Sequence, residues 1–224
     1  MPKPPLLLGH RGARACESVP ENTLASFDLA IAHGCDGFEF DVRLTACGRS
    51  VVCHDPKVGG VSVAAATASQ LPDLPVLENV LQRYGQKVFL DIELKVPGLE
   101  SKVLSALREH DVEAGYVVSS FLPRVVAELK IRSAQVQTGI ICDKTQQLAT
   151  WRDLNHQYVI PHYSLLTRKL VEEVHSAGRK LLTWTVNDRD SMLRYAGWGV
   201  DGIISDKTEL LVQTFSPAKR TTDQ

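Results

Sequence analysis

Eight short apolar runs alternate with eight helical patterns along the chain. The runs lie at 6–9, 37–41, 88–93, 117–120, 138–142, 158–160, 181–186 and 202–205. The helical patterns lie at 21–33, 76–84, 99–110, 123–131, 145–154, 167–177, 190–196 and 208–214. Parallel strands need long crossovers, and a helix is the usual one. Eight successive β-then-α units therefore predict an α/β fold, a TIM (β/α)8 barrel with its helices packed outside a closed parallel sheet. Thr167 stands where it caps the sixth helix, and Gly34, Gly178 and Gly199 stand where helices stop.

One further strand-like run, 50–53, breaks the alternation. Only residues 45–49 separate it from the second strand, too few for a parallel crossover of about a dozen residues. It is expected to fold back as a hairpin with Cys47-Gly48 at the bend. Residues 59–75, rich in Gly, Ala, Ser and Thr, read as loop. Residues 45–75 thus form a short insertion after strand 2, over the barrel mouth, within one domain spanning 1–224. The polar tail 216–224 is expected to fray.

Hydrophobic residues make up 44% of the chain, enough for a sizeable core, and the net charge of −1 sets up no global field for nucleic acid or an anionic membrane. A phosphate-bearing ligand would have to be met by local cations. No stretch approaches the roughly 18 apolar residues of a membrane span, and Leu6-Leu7-Leu8 is too short for a signal-peptide core. The reading is a cytoplasmic protein with no stable membrane association and no nucleic-acid partner. Its oligomeric state is left open. The five cysteines contain no C-x-x-C pair and read as reduced thiols, with a Cys47–Cys53 bridge as the weaker alternative.

Period-two alternation places the polar residues. In Gly37-Phe38-Glu39-Phe40-Asp41, the phenylalanines share one face and the carboxylates the other. If Phe38 and Phe40 pack under the helices, Glu39 and Asp41 point into the barrel. In the third strand Leu90, Ile92 and Leu94 take the helix side, so Asp91, Glu93 and Lys95 line the lumen, Lys95 nearest the mouth where sites of this fold lie. Neighbouring strands lie about 4.8 Å apart, so Glu39, Asp41 and Glu93 can converge. Three adjacent carboxylates do not all stay ionised without a cation, and an oxygen-only set suits a hard divalent ion, Mg²⁺ or Ca²⁺. The rival reading is a salt-bridged plug with Lys95, weighed more heavily for the deeper Asp91.

His10 ends the first strand beside Glu39, and His54 comes from the insertion. Two histidines flanking a metal suit paired general acid and base work. Arg11 can clamp a phosphate bidentately and Lys95 can add a point charge. His33, His110, His156 and His175 read as surface residues. His162, at the mouth end of the sixth strand, either touches substrate or caps the strand.

The strings GHRG, PENT, FEFDV, VVCHD, DIELK, TWTVN and DGIISD, in that order and spacing, resemble glycerophosphodiester phosphodiesterases across nearly the whole chain. The resemblance implies a TIM barrel with an insertion after the second strand. It implies hydrolysis of small glycerophosphodiesters to glycerol 3-phosphate and an alcohol, with a divalent cation. Position by position, it carries catalytic roles to His10 and His54 and metal ligation to Glu39, Asp41 and Glu93. Phosphate contact falls to Arg11 and Lys95, supporting roles to Glu21 and Asn22, and apolar substrate contact to Phe121 and Trp184. The insertion is shorter than in many such proteins. Two rivals remain: a phospholipase-type phosphodiesterase acting on intact phosphatidylinositol or sphingomyelin, and a non-catalytic binder of phosphorylated glycerol.

Overall fold

The computed structural model describes residues 4–216, so the tail beyond Ser216 lies outside the described residues. In chain order the strands are β1 (Leu6–His10), β2 (Gly37–Leu44), β3 (Ser50–Val52), β4 (Lys57–Val58), β5 (Val61–Ser62), β6 (Phe89–Leu94), β7 (Tyr116–Ser120), β8 (Thr138–Cys142), β9 (Tyr158–Pro161), β10 (Lys180–Thr183) and β11 (Gly202–Ser205). The helices are α1 (Leu24–His33), α2 (Leu77–Tyr84), α3 (Glu100–Glu109), α4 (Pro123–Arg132), α5 (Thr145–Ala149), α6 (Arg168–Ser176), α7 (Arg189–Trp198) and α8 (Thr208–Phe215). β1, β2 and β6 to β11 pair in parallel in that order, and β11 returns to β1 to close the barrel. The fold is the expected (β/α)8 barrel.

The registers position the lumen residues. His10 pairs with Glu39, Glu39 with Asp91, and Asp41 with Glu93. Phe38 and Phe40 turn outward as the alternation requires. Phe38 stacks on Phe27 of α1 at 4.2 Å between ring centroids and meets Tyr84 of α2 edge-on at 5.1 Å. That outer apolar layer commits the alternate residues Glu39 and Asp41 to the lumen. Below them the barrel is filled by Leu8, Phe89, Ile141, Ile160, Leu182 and Ile204. The charged residues therefore stand against an apolar layer, of which Ile141, Ile160 and Ile204 reach the same cavity. β2 and β6 approach so closely at Gly37 that a Cβ there would stand 1.8 Å from the Phe89 carbonyl oxygen.

The insertion folds back as expected. β3 lies antiparallel to β2, with Leu44 opposite Ser50. The run read as loop holds more structure than expected. β4 and β5 form a two-residue hairpin around Gly59 and Gly60, whose φ angles of 57° and 82° suit the tight primed turn. A small core of Val51, Cys53, Val63, Ala66 and Leu71 holds the insertion together. Cys53 is a buried free thiol, which leaves no bridge to Cys47. The first helix begins three residues later than read, because Thr23 caps it by accepting from Ser26 N–H at 3.2 Å. The fifth tightens into a 3-10 turn at Thr150–Asp153. There the Thr150 hydroxyl donates to the Gln147 carbonyl at 2.8 Å and competes with the helical ladder.

His156 corrects the surface reading. It is 3% exposed. Arg179 donates to the Trp151 and Leu154 carbonyls and to His156 Nε2, drawing the loop before β9 inward. Burial, with Arg179 adding to it, lowers the His156 imidazole from 6.5 to about 4. The unfolded chain thus takes up a proton near pH 6.5 that the native state refuses until about 4. Stability is expected to fall as pH drops through that window and to level off below it. The loss amounts to a few kcal/mol, since each unit is worth about 1.4 kcal/mol. Urea unfolding at several pH values, with His156→Gln beside the parent, checks this: the slope should flatten in the variant.

Candidate active site

The site begins where β1 ends. After His10 the chain turns through Arg11 and Gly12, with φ of 52° and 83°. A Cβ at Gly12 would lie 2.4 Å from Ser26 Oγ, so this left-handed corner needs glycine there. Arg11 and Asn22 are the two non-glycine residues with positive φ among the described residues. Such a conformation persists only where its surroundings hold it. Asn22 N–H donates to the Arg11 carbonyl at 3.0 Å. Its side-chain amide grips Asp41 twice, donating to Oδ2 at 2.8 Å and accepting from Asp41 N–H at 3.2 Å. The corner in turn presents Arg11 N–H to Glu39 Oε2 at 3.0 Å.

Glu39, Asp41 and Glu93 are all buried and bring one oxygen each within 4.8 Å of one another. Burial pushes the Glu39 carboxyl well up, and Asp41 and Glu93 push it further. Burial and Asp41 raise Glu93 to about 7 against the pull of Lys95. For Asp41 burial is outweighed: Lys95 and Arg11 hold it below the usual range. Lys95 Nζ stands 2.6 Å from Glu93 Oε1 and 3.2 Å from Asp41 Oδ1. Glu39 Oε1 is buried and makes no hydrogen bond. A set of converging carboxylates with a bare buried oxygen fits a hard divalent cation. Glu93 also forms the ion pair with Lys95 that the rival reading anticipated, and Asp41 forms one that it did not include. Asp91 does not pair with Lys95: its Oδ1 accepts from the Ser119 hydroxyl at 2.5 Å, deeper in the lumen.

Arg11 is less available than a bidentate clamp requires. Its Nη1 donates to Glu21 Oε1 at 2.7 Å. Its Nε lies 3.2 Å from Asp41 Oδ2, an ion-pair contact without hydrogen-bond geometry, and so remains a buried donor facing the site.

Both histidines are anchored at Nδ1 by a carboxylate. His54 Nδ1 lies 2.7 Å from Asp55 Oδ1, and His10 Nδ1 lies 2.7 Å from Asp206 Oδ1. His10 Nε2 is turned toward Glu39 Oε2 at 3.8 Å. The His54 backbone is fixed from two sides: Arg43 Nε donates to its carbonyl at 2.7 Å, and Cys53 N–H donates to the Asp41 carbonyl at 3.0 Å. Burial lowers the His54 imidazole despite the opposing Asp55. Asp206, Arg43 and Asn187 were not singled out in the sequence, although Asp206 and Asn187 close the DGIISD and TWTVN strings.

A cavity of about 100 Å³ gathers His10, Arg11, Glu39, His54, Asp91, Glu93, Lys95, Phe121 and Trp184 on its wall. Asp41, level with Glu93 in the sheet, is buried behind this wall rather than on it, and Glu21 and Asn22 bond Arg11 and Asp41 in turn. Phe121 and Trp184 meet edge to face at 5.5 Å and form the apolar side. His162 is not on this wall. Its Nδ1 caps the turn Tyr163–Leu165 by accepting from Ser164 N–H at 3.3 Å, and its ring packs on Trp184 at 5.2 Å. A wider cavity of about 580 Å³ opens at the opposite, N-terminal end of the barrel. None of the converging carboxylates and neither anchored histidine lies there, so the chemistry belongs to the smaller one. Among the described residues no helix is long and apolar enough to cross a membrane.

The profile of the "Glycerophosphoryl diester phosphodiesterase family" matches residues 10–210. A glycerophosphodiester phosphodiesterase of Caldanaerobacter subterraneus subsp. tengcongensis is 32% identical over 235 residues, covering 92% of this chain and 96% of that relative. The crystal structure of a glycerophosphodiester phosphodiesterase from Thermotoga maritima superposes with a TM-score of 0.79 at 27% identity, over 93% of this chain and 97% of the other. A phosphodiesterase from Oleispira antarctica, solved in complex with sn-glycerol-3-phosphate, shares the fold with a TM-score of 0.84 at 24% identity, over 94% of this chain and 96% of the other.

Proposed function

The chain belongs to the glycerophosphoryl diester phosphodiesterase family, and on that premise we propose that its barrel mouth hydrolyses a small glycerophosphodiester to glycerol 3-phosphate and an alcohol. One observation carries the reading: Glu39 and Glu93, with Asp41 converging on them from behind, share a single cavity wall with two carboxylate-anchored histidines.

Glu39, Asp41 and Glu93 would hold a divalent cation, Mg²⁺ or Ca²⁺. When bound, it supplies positive charge to the non-bridging phosphate oxygens. Arg11 Nε and Lys95 Nζ add donors on the same side and stabilise charge that grows in the transition state. His54 takes the base role. A carboxylate only accepts, so Asp55 places the neutral ring's proton on Nδ1 and leaves the Nε2 lone pair to receive one. Its lowered pKa keeps the ring neutral at neutral pH. His10, entering the step with a proton on each ring nitrogen, then delivers the one on Nε2 to the leaving alcohol oxygen as the phosphorus–oxygen bond breaks, and keeps the other on Nδ1 toward Asp206. The nucleophile that loses its proton to His54 is water or the substrate's own glycerol 2-hydroxyl. Phosphorus NMR of the reaction separates these: an accumulating cyclic phosphate marks the hydroxyl route.

Phe121 and Trp184 pack against the carbon chain of the glycerol moiety. Each Ala substitution is expected to raise KM about tenfold, from loss of roughly 1–2 kcal/mol of apolar contact, with a smaller change in kcat. The reading as a whole is tested by turnover of glycerophosphocholine and related headgroups with Mg²⁺, Ca²⁺ and Mn²⁺ compared. No hydrolysis under any of these conditions would remove it.

A further inference from the structure

We infer that Asp206 is a positioning residue for His10, keeping a proton on Nδ1 in the charged and the neutral ring alike, so that the proton His10 gives up is the one on Nε2, toward the cavity. The inference rests on the proton-transfer role proposed for His10. Asp206 follows the last residue of β11, and β11 is the neighbour of β1, with Gly9 opposite Ser205. Barrel closure therefore brings Asp206 Oδ1 to within 2.7 Å of His10 Nδ1, across 196 positions of sequence.

The carboxylate is itself built in. Asn187 Nδ2 donates to Asp206 Oδ2 at 2.7 Å. Asn187 Oδ1 accepts from Asp206 N–H and from the Ser205 hydroxyl, both at 2.9 Å. Arg14 Nη1 donates to Asp206 Oδ1 at 3.2 Å. The same Arg14 donates through Nε to Glu21, which also receives Arg11. One network thus sets the orientation of His10 and of Arg11. His54 has no comparable support at its carboxylate, since the Asp55 side chain is 72% exposed.

The donor pattern makes Asp206→Asn an informative change. Asn187 and Arg14 both offer N–H groups, so each oxygen of residue 206 has to accept. An amide satisfies only one of them. With its oxygen toward Asn187, its NH₂ faces His10 Nδ1 and drives the ring proton to Nε2. With its oxygen toward His10, its NH₂ opposes that of Asn187. The first placement also sets that NH₂ against Arg14 Nη1, so either one leaves an N–H facing another and the proton on His10 Nδ1 loses the hold it has in the parent.

Asp206→Asn is expected to lower kcat about 10- to 100-fold with KM little changed. In a His10→Ala background the same substitution should cost nothing further, because both act through one group. Nitrogen NMR of the parent protein should show His10 protonated at Nδ1 in the neutral ring, and Asp206→Asn should raise the share of the ring protonated at Nε2. A parent spectrum with the proton on Nε2 overturns the inference, and this measurement needs no variant to fold. So does near-parental turnover of Asp206→Asn while His10→Ala is inactive, or a full additional loss in the double variant. Near-parental turnover of His10→Ala itself would instead overturn the proton-transfer reading, and is distinguishable for that reason.

Discussion

Excess chelator is expected to remove turnover altogether, and added Mg²⁺ or Ca²⁺ to restore it, with the barrel folded throughout. The expectation follows from charge. At 4.8 Å and an effective dielectric near 20, each pair of ionised carboxylates among Glu39, Asp41 and Glu93 repels by about 3 kcal/mol. Lys95 compensates Glu93 and Asp41, and Arg11 compensates Asp41. Glu39 receives only a backbone N–H on one oxygen and nothing on the other. The fold survives without the ion, because Asn22, Arg11 and Lys95 already hold the carboxylates apart from any cation. The sign of the pH dependence is fixed by the same groups. Glu93 is raised to about 7 and Glu39 is raised well above the carboxylate range, so a cation that binds the ionised forms displaces protons. Affinity should therefore weaken as pH falls through 7, by up to about tenfold per unit for each proton displaced. Calorimetry in two buffers of different ionisation enthalpy counts those protons. Full activity in chelator, or cation binding with no proton release, would defeat the assignment, and circular dichroism shows whether the apo barrel is intact.

The carboxylates were legible because a strand's two faces cannot exchange without inverting the core. Once Phe38 and Phe40 sit under α1 and α2, Glu39 and Asp41 have no other direction, and Asp91, Glu93 and Lys95 follow by the register of β6 on β2. The fold-back at residues 45–52 was legible for an equally local reason: the chain is too short there for a crossover. What stayed hidden depends on distant partners or on where an element stops. The seventh strand read as running to 186, but β10 ends at Thr183, and only that early exit frees Asn187 to turn back on Asp206. Asp206 itself meets His10 only through closure of the sheet. Closure was part of the expected fold, so the meeting could have been inferred from the ends of the first and last strands. His156 read as surface because loops are usually exposed. The Arg179 side chain, 23 positions away, is what draws it in. The β4–β5 hairpin was a missed local signal, since Gly59-Gly60 between Lys57-Val58 and Val61-Ser62 carries the turn chemistry outright.

His54→Ala and His10→Ala are each expected to lower kcat by about 10²- to 10⁴-fold, the range of a lost general acid or base, in proteins that unfold at nearly the parental temperature. The two losses should not look alike. A leaving group that departs without a proton, such as p-nitrophenolate on a glycerol phosphodiester, bypasses the general acid. It should restore much of the rate to His10→Ala and little to His54→Ala. The converse pattern would exchange the two roles. The acid limb of the parent's pH–kcat/KM profile carries the second signature. Burial sets the His54 imidazole below its ordinary 6.5, so its basic form survives into mildly acidic solution and is lost only below that value. The limb should therefore lie on the acid side of 6.5 wherever cation binding is saturated. Arg43→Ala should soften this without abolishing it, because the carbonyl of His54 loses its tether while Cys53 N–H still holds the chain to Asp41. Near-parental turnover in either histidine variant would take that residue out of the chemistry. The His54 result is the sharper of the two, since His54 reaches the cavity from an insertion and its place there depends on two backbone contacts rather than on a barrel strand.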